Sequence, residues 1–103
     1  MIDIKNIREL CNCSKIKWSS HASARIQQRG ISRKDVVNCI MNGEIIEQYP
    51  KYWLNPACLI LGYSIENKII HVVVGVDDYV HIVTAYFPNK EKFESDMKTR
   101  KGH

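Results

Sequence analysis

The chain has 103 residues, of which 45% are hydrophobic and 25% are charged. This length predicts one compact domain, and the composition excludes an intrinsically disordered protein. The net charge of +4 permits a phosphate-bearing partner without requiring one. The apolar runs are too short to span a bilayer, and the N-terminus lacks the pattern of a secretory signal, so we expect a cytoplasmic protein without a membrane partner.

The four cysteines divide into two kinds. Cys39 and Cys58 lie in apolar runs and are expected to be small buried hydrophobic residues. Cys11 and Cys13 form a close pair, but a tetrahedral zinc site needs further ligands at matching spacing, and the sequence offers no second pair. We therefore expect no metal and no other cofactor.

Three helices are predicted in the first part of the chain, followed by a change of pattern. Their apolar residues recur at helical spacing over 4–13, 20–29 and 33–42, and residues 14–17 read as a polar connector. The expected start and stop signals are the caps Asp3, Ser19 or Ser20, and Ser32 with Asp35, and the stops Gly30 and Gly43. The pair of glycine stops defines the second and third helices.

Four strands follow, with a last helix after Pro88. The predicted strands are Glu44–Tyr49, Ala57–Ile65, Lys68–Val76 and Tyr79–Tyr86. Two-residue turns at 66–67 and 77–78 would join the last three strands, and Asn89 would cap the final helix. The predicted fold is α+β: N-terminal helices packed on a four-stranded antiparallel sheet with a short C-terminal helix. Its single domain comprises a helix and connector (1–17), a core (18–88) and a C-terminal helix and tail (89–103).

The two-residue turns fix a register that gathers polar side chains on one sheet face. His71 is placed opposite Thr84 and beside Gly62, and Tyr86 shares their face. The same face is expected to hold Ile60, Val73 and Ile82. The other face, expected to carry the helices, holds Leu59, Leu61, Tyr63, Ile70, Val72, Val74, Val83 and Ala85. The His71 patch is a candidate ligand site, and the alternative is a purely structural hydrogen bond between His71 and Thr84.

A second candidate group lies on the second helix. His21, Arg25 and either Gln28 or Arg29 recur at spacings of three or four residues and so share one side. The positive end of the helix dipole disfavours protonation of His21, which suits a general base. Arg25 could hold a phosphate through its planar guanidinium. The alternative is that His21 belongs to the helix cap and that the arginines are merely solvated.

Several short segments together resemble one known family. They are SHASAR (20–25), QRGIS (28–32), NGEII (42–46), Tyr49-Pro50, CLILG (58–62), HVVV (71–74), and TAY (84–86) with Pro88. In order and spacing they resemble the domain-of-unknown-function family four-two-five-eight over about residues 18–100. That resemblance implies kinship with the RelE/ParE-like toxin ribonucleases, and so a RelE/barnase-like fold. It also implies an antitoxin partner, possibly of zinc-finger type, encoded by a neighbouring gene.

The function expected from this resemblance is a toxin-like endoribonuclease that cleaves RNA without a metal, by attack of a ribose 2′-hydroxyl on the adjacent phosphate. His21 or His71 would transfer protons, and Arg25 would stabilise the charged transition state. Tyr86 would orient the phosphate or stack on a base. Arg29 and Thr84 complete the substrate site, where Thr84 would fix the tautomer of His71.

Two other functions stay open at this point. The same fold could be a non-catalytic module that binds a partner protein, or a domain that binds RNA without cleaving it. The sequence also leaves open whether the protein forms a homodimer. One geometric question separates these hypotheses: His21 and His71 can belong to one active site only if they lie on the same side of the sheet.

Overall fold

The computed structural model of the protein, which describes residues 1–51 and 55–101, is an α+β fold of three helices and a five-stranded mixed sheet. The helices are α1 (Ile4–Asn12), α2 (Ser20–Gln28) and α3 (Arg33–Asn42). The strands are β1 (Ile16–Trp18), β2 (Glu44–Tyr49), β3 (Ala57–Tyr63), β4 (Ile69–Val76) and β5 (Val80–Tyr86). Among the described residues, no helix has the length and apolar character needed to cross a membrane.

The helices begin at the predicted caps. The Ser19 hydroxyl accepts a hydrogen bond from the Ala22 N–H at 3.0 Å, and Ser32 and Asp35 form a complete capping box. Gly30 has φ +73°, as its position after α2 predicts. Gly43 ends α3 differently, in an extended conformation. It is needed there because a Cβ atom would lie 2.4 Å from the Cys39 carbonyl oxygen.

The sheet differs from the predicted four antiparallel strands. Its order is β1-β5-β4-β3-β2, and β1 pairs with β5 in parallel, from Ile16 opposite Val80 to Trp18 opposite Ile82. The prediction of a polar connector over residues 14–17 was therefore wrong. A three-residue strand is too short to show a period of its own, and it is held in place by a partner far away in sequence.

The β3–β4 hairpin corrects the predicted register. Its turn has three residues rather than two: Ser64 donates its N–H to the Lys68 carbonyl at 2.8 Å, and Asn67 adopts φ +65°. His71 consequently lies opposite Leu61 and not Gly62. A slip of one residue exchanges the two faces of a strand. Leu59, Leu61 and Tyr63 thus share the face of His71, whereas Ile60 and Gly62 turn toward the helices.

The β4–β5 hairpin also has a three-residue turn, since Val76 pairs with Val80 rather than Tyr79. A bulge at Val83 then shifts the pairing by one more residue, so that Thr84 and Tyr86 again face the same side as His71. His71 lies opposite Tyr86, and Val73 lies opposite Thr84. The predicted pairing of His71 with Thr84 was wrong, although all three polar residues do share one face. Ile82, which precedes the bulge, faces the helices.

The hydrophobic core lies between the helices and one face of the sheet. Ile70, Val72, Val74 and Ala85 face the helices, as predicted, and all are fully buried. Cys39 and Cys58 belong to the same core, which confirms their expected role. The opposite face, which carries His71, Thr84 and Tyr86, is called the outer face below.

Residues 87–101, called the C-terminal segment below, cross the outer face. The predicted last helix is absent from this described segment, which contains a turn after Asn89, a second turn over residues 94–97 and one isolated pairing of Phe93 with Arg100. The carboxylate of Asp96 accepts hydrogen bonds from the N–H groups of Lys98 and Thr99, and so holds a tight turn. A capping side chain inside the expected helix therefore stabilises a turn instead.

Candidate functional site

His71 lies on β4 at the centre of the outer face and is fully buried. Its Nε2 is 2.7 Å from the carbonyl oxygen of Met97. The rings of Phe93 and Tyr86 stand edge-on to the imidazole, with centroid distances of 4.8 and 5.5 Å. Because a carbonyl oxygen only accepts, Nε2 carries the proton, and the unprotonated Nδ1 is buried with no hydrogen-bond partner among the described residues.

The surroundings of His71 keep it neutral. Burial lowers its pKa below 6.5, and the charge of Arg100 acts in the same direction. The Met97 carbonyl and the carboxylate of Glu47 oppose this shift. The imidazole is thus an uncharged group whose pKa depends on how tightly it is covered.

Glu47 and Tyr49 lie on β2 and point to the same outer face. Arg100 donates to the Glu47 carboxylate from Nε at 2.7 Å and from a terminal nitrogen at 3.1 Å. The Tyr49 hydroxyl donates to the same carboxylate. These bonds, above all that from Arg100, lower the pKa of Glu47. Burial, assisted by Glu47, raises the pKa of Tyr49 to about 12.

Arg29 closes the other end of the outer face. Beyond Ile82, β5 has no pairing with β1, so the Ala85 carbonyl lacks a strand partner. Arg29, the C-cap of α2, donates to this oxygen at 2.8 Å and to the Thr84 hydroxyl at 2.9 Å. Its charge opposes the rise that burial causes in the pKa of Tyr86. Four predicted site residues are therefore neighbours: Arg29, Thr84, Tyr86 and His71.

His21 and Arg25 lie elsewhere. Both are exposed on α2, whose buried side, Ala22 and Ile26, packs on the helix-facing side of the sheet. His21 and His71 are on opposite sides of the sheet and do not meet in one site. Since residues four apart share a helix side, His21 and Arg25 instead form a row that leads to Arg29.

Three residues of the site were not predicted from the sequence: Glu47, Tyr49 and Arg100. A signal for the first two was present, because residues i and i+2 of a strand share a face, which places Glu47 and Tyr49 together on the predicted strand. Arg100 gave no such signal, since the segment that carries it has no regular structure. Within residues 1–51 and 55–101, no three His, Cys, Asp or Glu side chains are grouped closely enough to hold a metal ion.

A family model described as "Domain of unknown function (DUF4258)" matches residues 18–87, which is more than half of the chain. The protein therefore belongs to this family. The match includes Glu47 and all six site residues predicted from the sequence, whereas residues 88–101 of the C-terminal segment lie outside it. No curated protein and no solved structure matches the chain.

Proposed function

We propose that this DUF4258 protein is a toxin-like endoribonuclease that cleaves RNA without a metal, by attack of a ribose 2′-hydroxyl on the adjacent phosphate. The observation that carries the proposal is the presence of a carboxylate, Glu47, and an imidazole, His71, on one sheet face. Each influences the pKa of the other. This pair suits a reaction that needs one group to accept a proton and another to donate one.

In the proposed reaction Glu47 accepts the proton of the 2′-hydroxyl. The 2′-oxygen forms a bond to phosphorus, and the bond from phosphorus to the 5′-oxygen breaks. His71, which is neutral while it is buried and takes up a proton once it is exposed to water, gives that proton to the leaving 5′-oxygen. The products are a 2′,3′-cyclic phosphate and a free 5′-hydroxyl, so atoms and charge balance.

The neighbouring residues supply binding. Arg29 would stabilise the charged phosphate, held in position by its bonds to Thr84 and the Ala85 carbonyl. Tyr86, between Arg29 and His71, would stack on a base. His21 and Arg25 receive a different role from the catalytic one expected from the sequence: they extend the row of polar groups along α2 that contacts RNA phosphates. A small antitoxin protein remains part of the proposal.

The test is cleavage of a DNA oligonucleotide that contains a single ribonucleotide. We expect a cut only at the ribonucleotide, a 2′,3′-cyclic phosphate product and full activity in the chelator EDTA. Glu47→Gln and His71→Gln should each lower the rate by about 10²–10⁴-fold. Glu9→Gln on the exposed side of α1 makes the same charge change as Glu47→Gln and should leave the rate unchanged.

Melting temperatures of the variants must accompany the rates, so that loss of fold is not taken for loss of chemistry. Folded Glu47→Gln and His71→Gln proteins with undiminished cleavage would remove both residues from the mechanism. Cleavage that disappears in EDTA would show that the metal-free reaction is wrong.

A second candidate, a module that binds a partner protein, is favoured by a groove beside α3. The groove has a volume of about 420 Å³, and its apolar floor consists of Ile16, Trp18, Val37, Met41 and Ile65. Arg33 and Lys34 line the same groove, and the Arg33 guanidinium lies 5.0 Å from the Trp18 ring centroid. The apolar floor and the cationic rim of this groove together suit an amphipathic helix whose polar side is acidic.

Two synthetic peptides with the same leucine face, one carrying Glu and one Lys on the other face, would test the groove. Fluorescence anisotropy should detect binding of the Glu peptide only. The double variant Arg33→Glu/Lys34→Glu should reverse this preference. Equal binding of both peptides would speak against charge-selective docking at this site.

A further inference from the structure

The proposed ribonuclease site is covered by the C-terminal segment. Met97 and Phe93 of this segment contact the His71 ring, which has no exposed surface. Arg100 of the same segment occupies the Glu47 carboxylate. Both groups proposed to move protons are therefore engaged by one stretch of chain: RNA cannot reach His71 while the segment stays in place, and it must compete with Arg100 for access to Glu47.

The segment is held on the sheet by side chains. Besides the Arg100 pair with Glu47, Lys98 Nζ lies 3.0 Å from a carboxylate oxygen of Glu44, at the start of the same strand. The side chains of Lys98 and Glu44 are 44% and 56% exposed. Exposed ion pairs of this kind are weak and are weakened further by salt.

The backbone of the segment is bonded to itself. Lys101 donates its N–H to the Lys92 carbonyl at 3.0 Å, and Glu94 donates to the Thr99 carbonyl at 2.8 Å. Across the part of the chain that the structure describes, no backbone-to-backbone hydrogen bond joins residues 87–101 to the sheet. The segment can therefore leave as a unit without breaking a strand pairing.

Two local features raise the free energy of the state in which the segment covers His71. Met97, whose carbonyl contacts His71, has φ +59°, a conformation that residues other than glycine, asparagine and aspartate rarely adopt. The Nδ1 atom of His71 is buried and has no hydrogen-bond partner within residues 1–51 and 55–101, whereas water could donate a hydrogen bond to it in an open state. Both costs fall on the contact between the segment and the proposed catalytic imidazole.

We propose that the C-terminal segment is an inhibitory cover of this site, held closed through Glu44 and Glu47 and displaced by a polyanion. The inference rests on the proposed ribonuclease function. The segment carries the cations Lys90, Lys92, Lys98, Arg100 and Lys101 against three carboxylates. Phosphates of an approaching RNA compete with Glu44 and Glu47 for Lys98 and Arg100, and so uncover the site that they then occupy.

The experiment compares two double variants of the full chain that lose the same charge from the same segment. Lys98→Ala/Arg100→Ala removes the two ion pairs with β2. Lys90→Ala/Lys101→Ala is the matched control, since no ion pair joins these two lysines to the described part of the sheet. Modification of His71 by diethyl pyrocarbonate, located by mass spectrometry with exposed His21 as the internal reference, measures opening without any reference to activity.

We expect His71 labelling and the rate of RNA cleavage to rise about tenfold in Lys98→Ala/Arg100→Ala, as the loss of two exposed pairs allows. The control pair should match wild type. Met97→Asn, which better tolerates the left-handed conformation, should lower both quantities. Inorganic polyphosphate, a polyanion with neither base nor ribose, should raise the labelling of His71 in wild type.

The outcomes separate this inference from the function on which it rests. Labelling of His71 that is equal in wild type and Lys98→Ala/Arg100→Ala, or that ignores polyphosphate, overturns the cover. Labelling that rises as expected while no protein cleaves RNA supports a displaceable cover but overturns the ribonuclease proposal. A rise in both supports the two together.

Discussion

At the scale of single residues, the pKa of His71 links its burial to stability. Its folded-state pKa lies below 6.5 because burial disfavours the imidazolium. As pH falls below 6.5, the unfolded chain binds a proton that the folded protein does not, so the free energy of unfolding decreases. Above pH 6.5 His71 is neutral in both states, and its contribution to the free energy of unfolding is fully present.

The charged groups that act on the pKa of His71 are Glu47 from β2 and Arg100 from the C-terminal segment. Glu47 has a lowered pKa, so its stabilising effect is lost at more acid pH, as the pH falls below 4.5. Urea unfolding of wild type and His71→Gln at several pH values separates the contribution of His71 to stability from that of Glu47. The variant should lose the dependence near pH 6 and keep the acid one; an unchanged profile near pH 6 would contradict a neutral, buried His71.

At the scale of secondary-structure elements, two strand glycines have opposite packing. A Cβ added to Gly62 would lie 2.4 Å from the Cys39 carbonyl oxygen and 2.8 Å from its Sγ. One added to Gly75 would meet nothing closer than 3.9 Å. Gly62→Ala should therefore destabilise the protein by about 3 kcal/mol or more by forcing α3 from the sheet.

Gly75→Ala is the matched control, because it makes the same change in the neighbouring strand β4. It should alter the free energy of unfolding by less than about 1 kcal/mol and is expected to stabilise, since it restricts the unfolded chain. Chemical denaturation of both variants measures the difference. Similar losses at the two positions would show that α3 does not press on β3 as described.

The elements differ in how far the sequence determines them. Capping signals are local, so Ser19, Ser32 and Gly30 allowed the helices to be predicted to within one residue of their ends. Hairpin turns are less well determined, because Asn67 can occupy a two-residue or a three-residue turn and the choice reverses a strand. The bulge at Val83 and the pairing of β1 with β5 depend on partners distant in sequence, which a local pattern does not reveal.

At the scale of the whole molecule, we expect unequal local stability. Amide hydrogens of β3 and β4 lie in the centre of the sheet and should exchange slowly, near the rate set by global unfolding. Those of residues 87–101 should exchange much faster, because their hydrogen bonds are local and their attachment is through side chains. Hydrogen–deuterium exchange with mass spectrometry measures both, and equal protection would mean that the segment is an integral part of the domain.

The candidate site was predicted only in part, because some of its residues are close in sequence and others are distant. His71, Thr84 and Tyr86 could be grouped because the one-residue error in the turn is offset by the bulge at Val83, so the three residues still share a face. Arg29 was predicted on the second helix, and in the structure the end of α2 brings it next to Thr84. Glu47 and Arg100 come from a distant strand and an irregular segment, and only the folded chain brings them to the imidazole.

The internal bonding of the C-terminal segment has a spectroscopic consequence. Residues 87–101 contribute neither helix nor a regular strand, so their departure from the sheet leaves the far-ultraviolet circular dichroism almost unchanged. Tyr49 and Tyr86, which lie next to the segment, would lose their asymmetric surroundings and change the near-ultraviolet signal. Opening of the cover would hardly change the far-ultraviolet signal, which reports on the backbone, but it would change the near-ultraviolet signal of the tyrosines. The chain stays folded throughout.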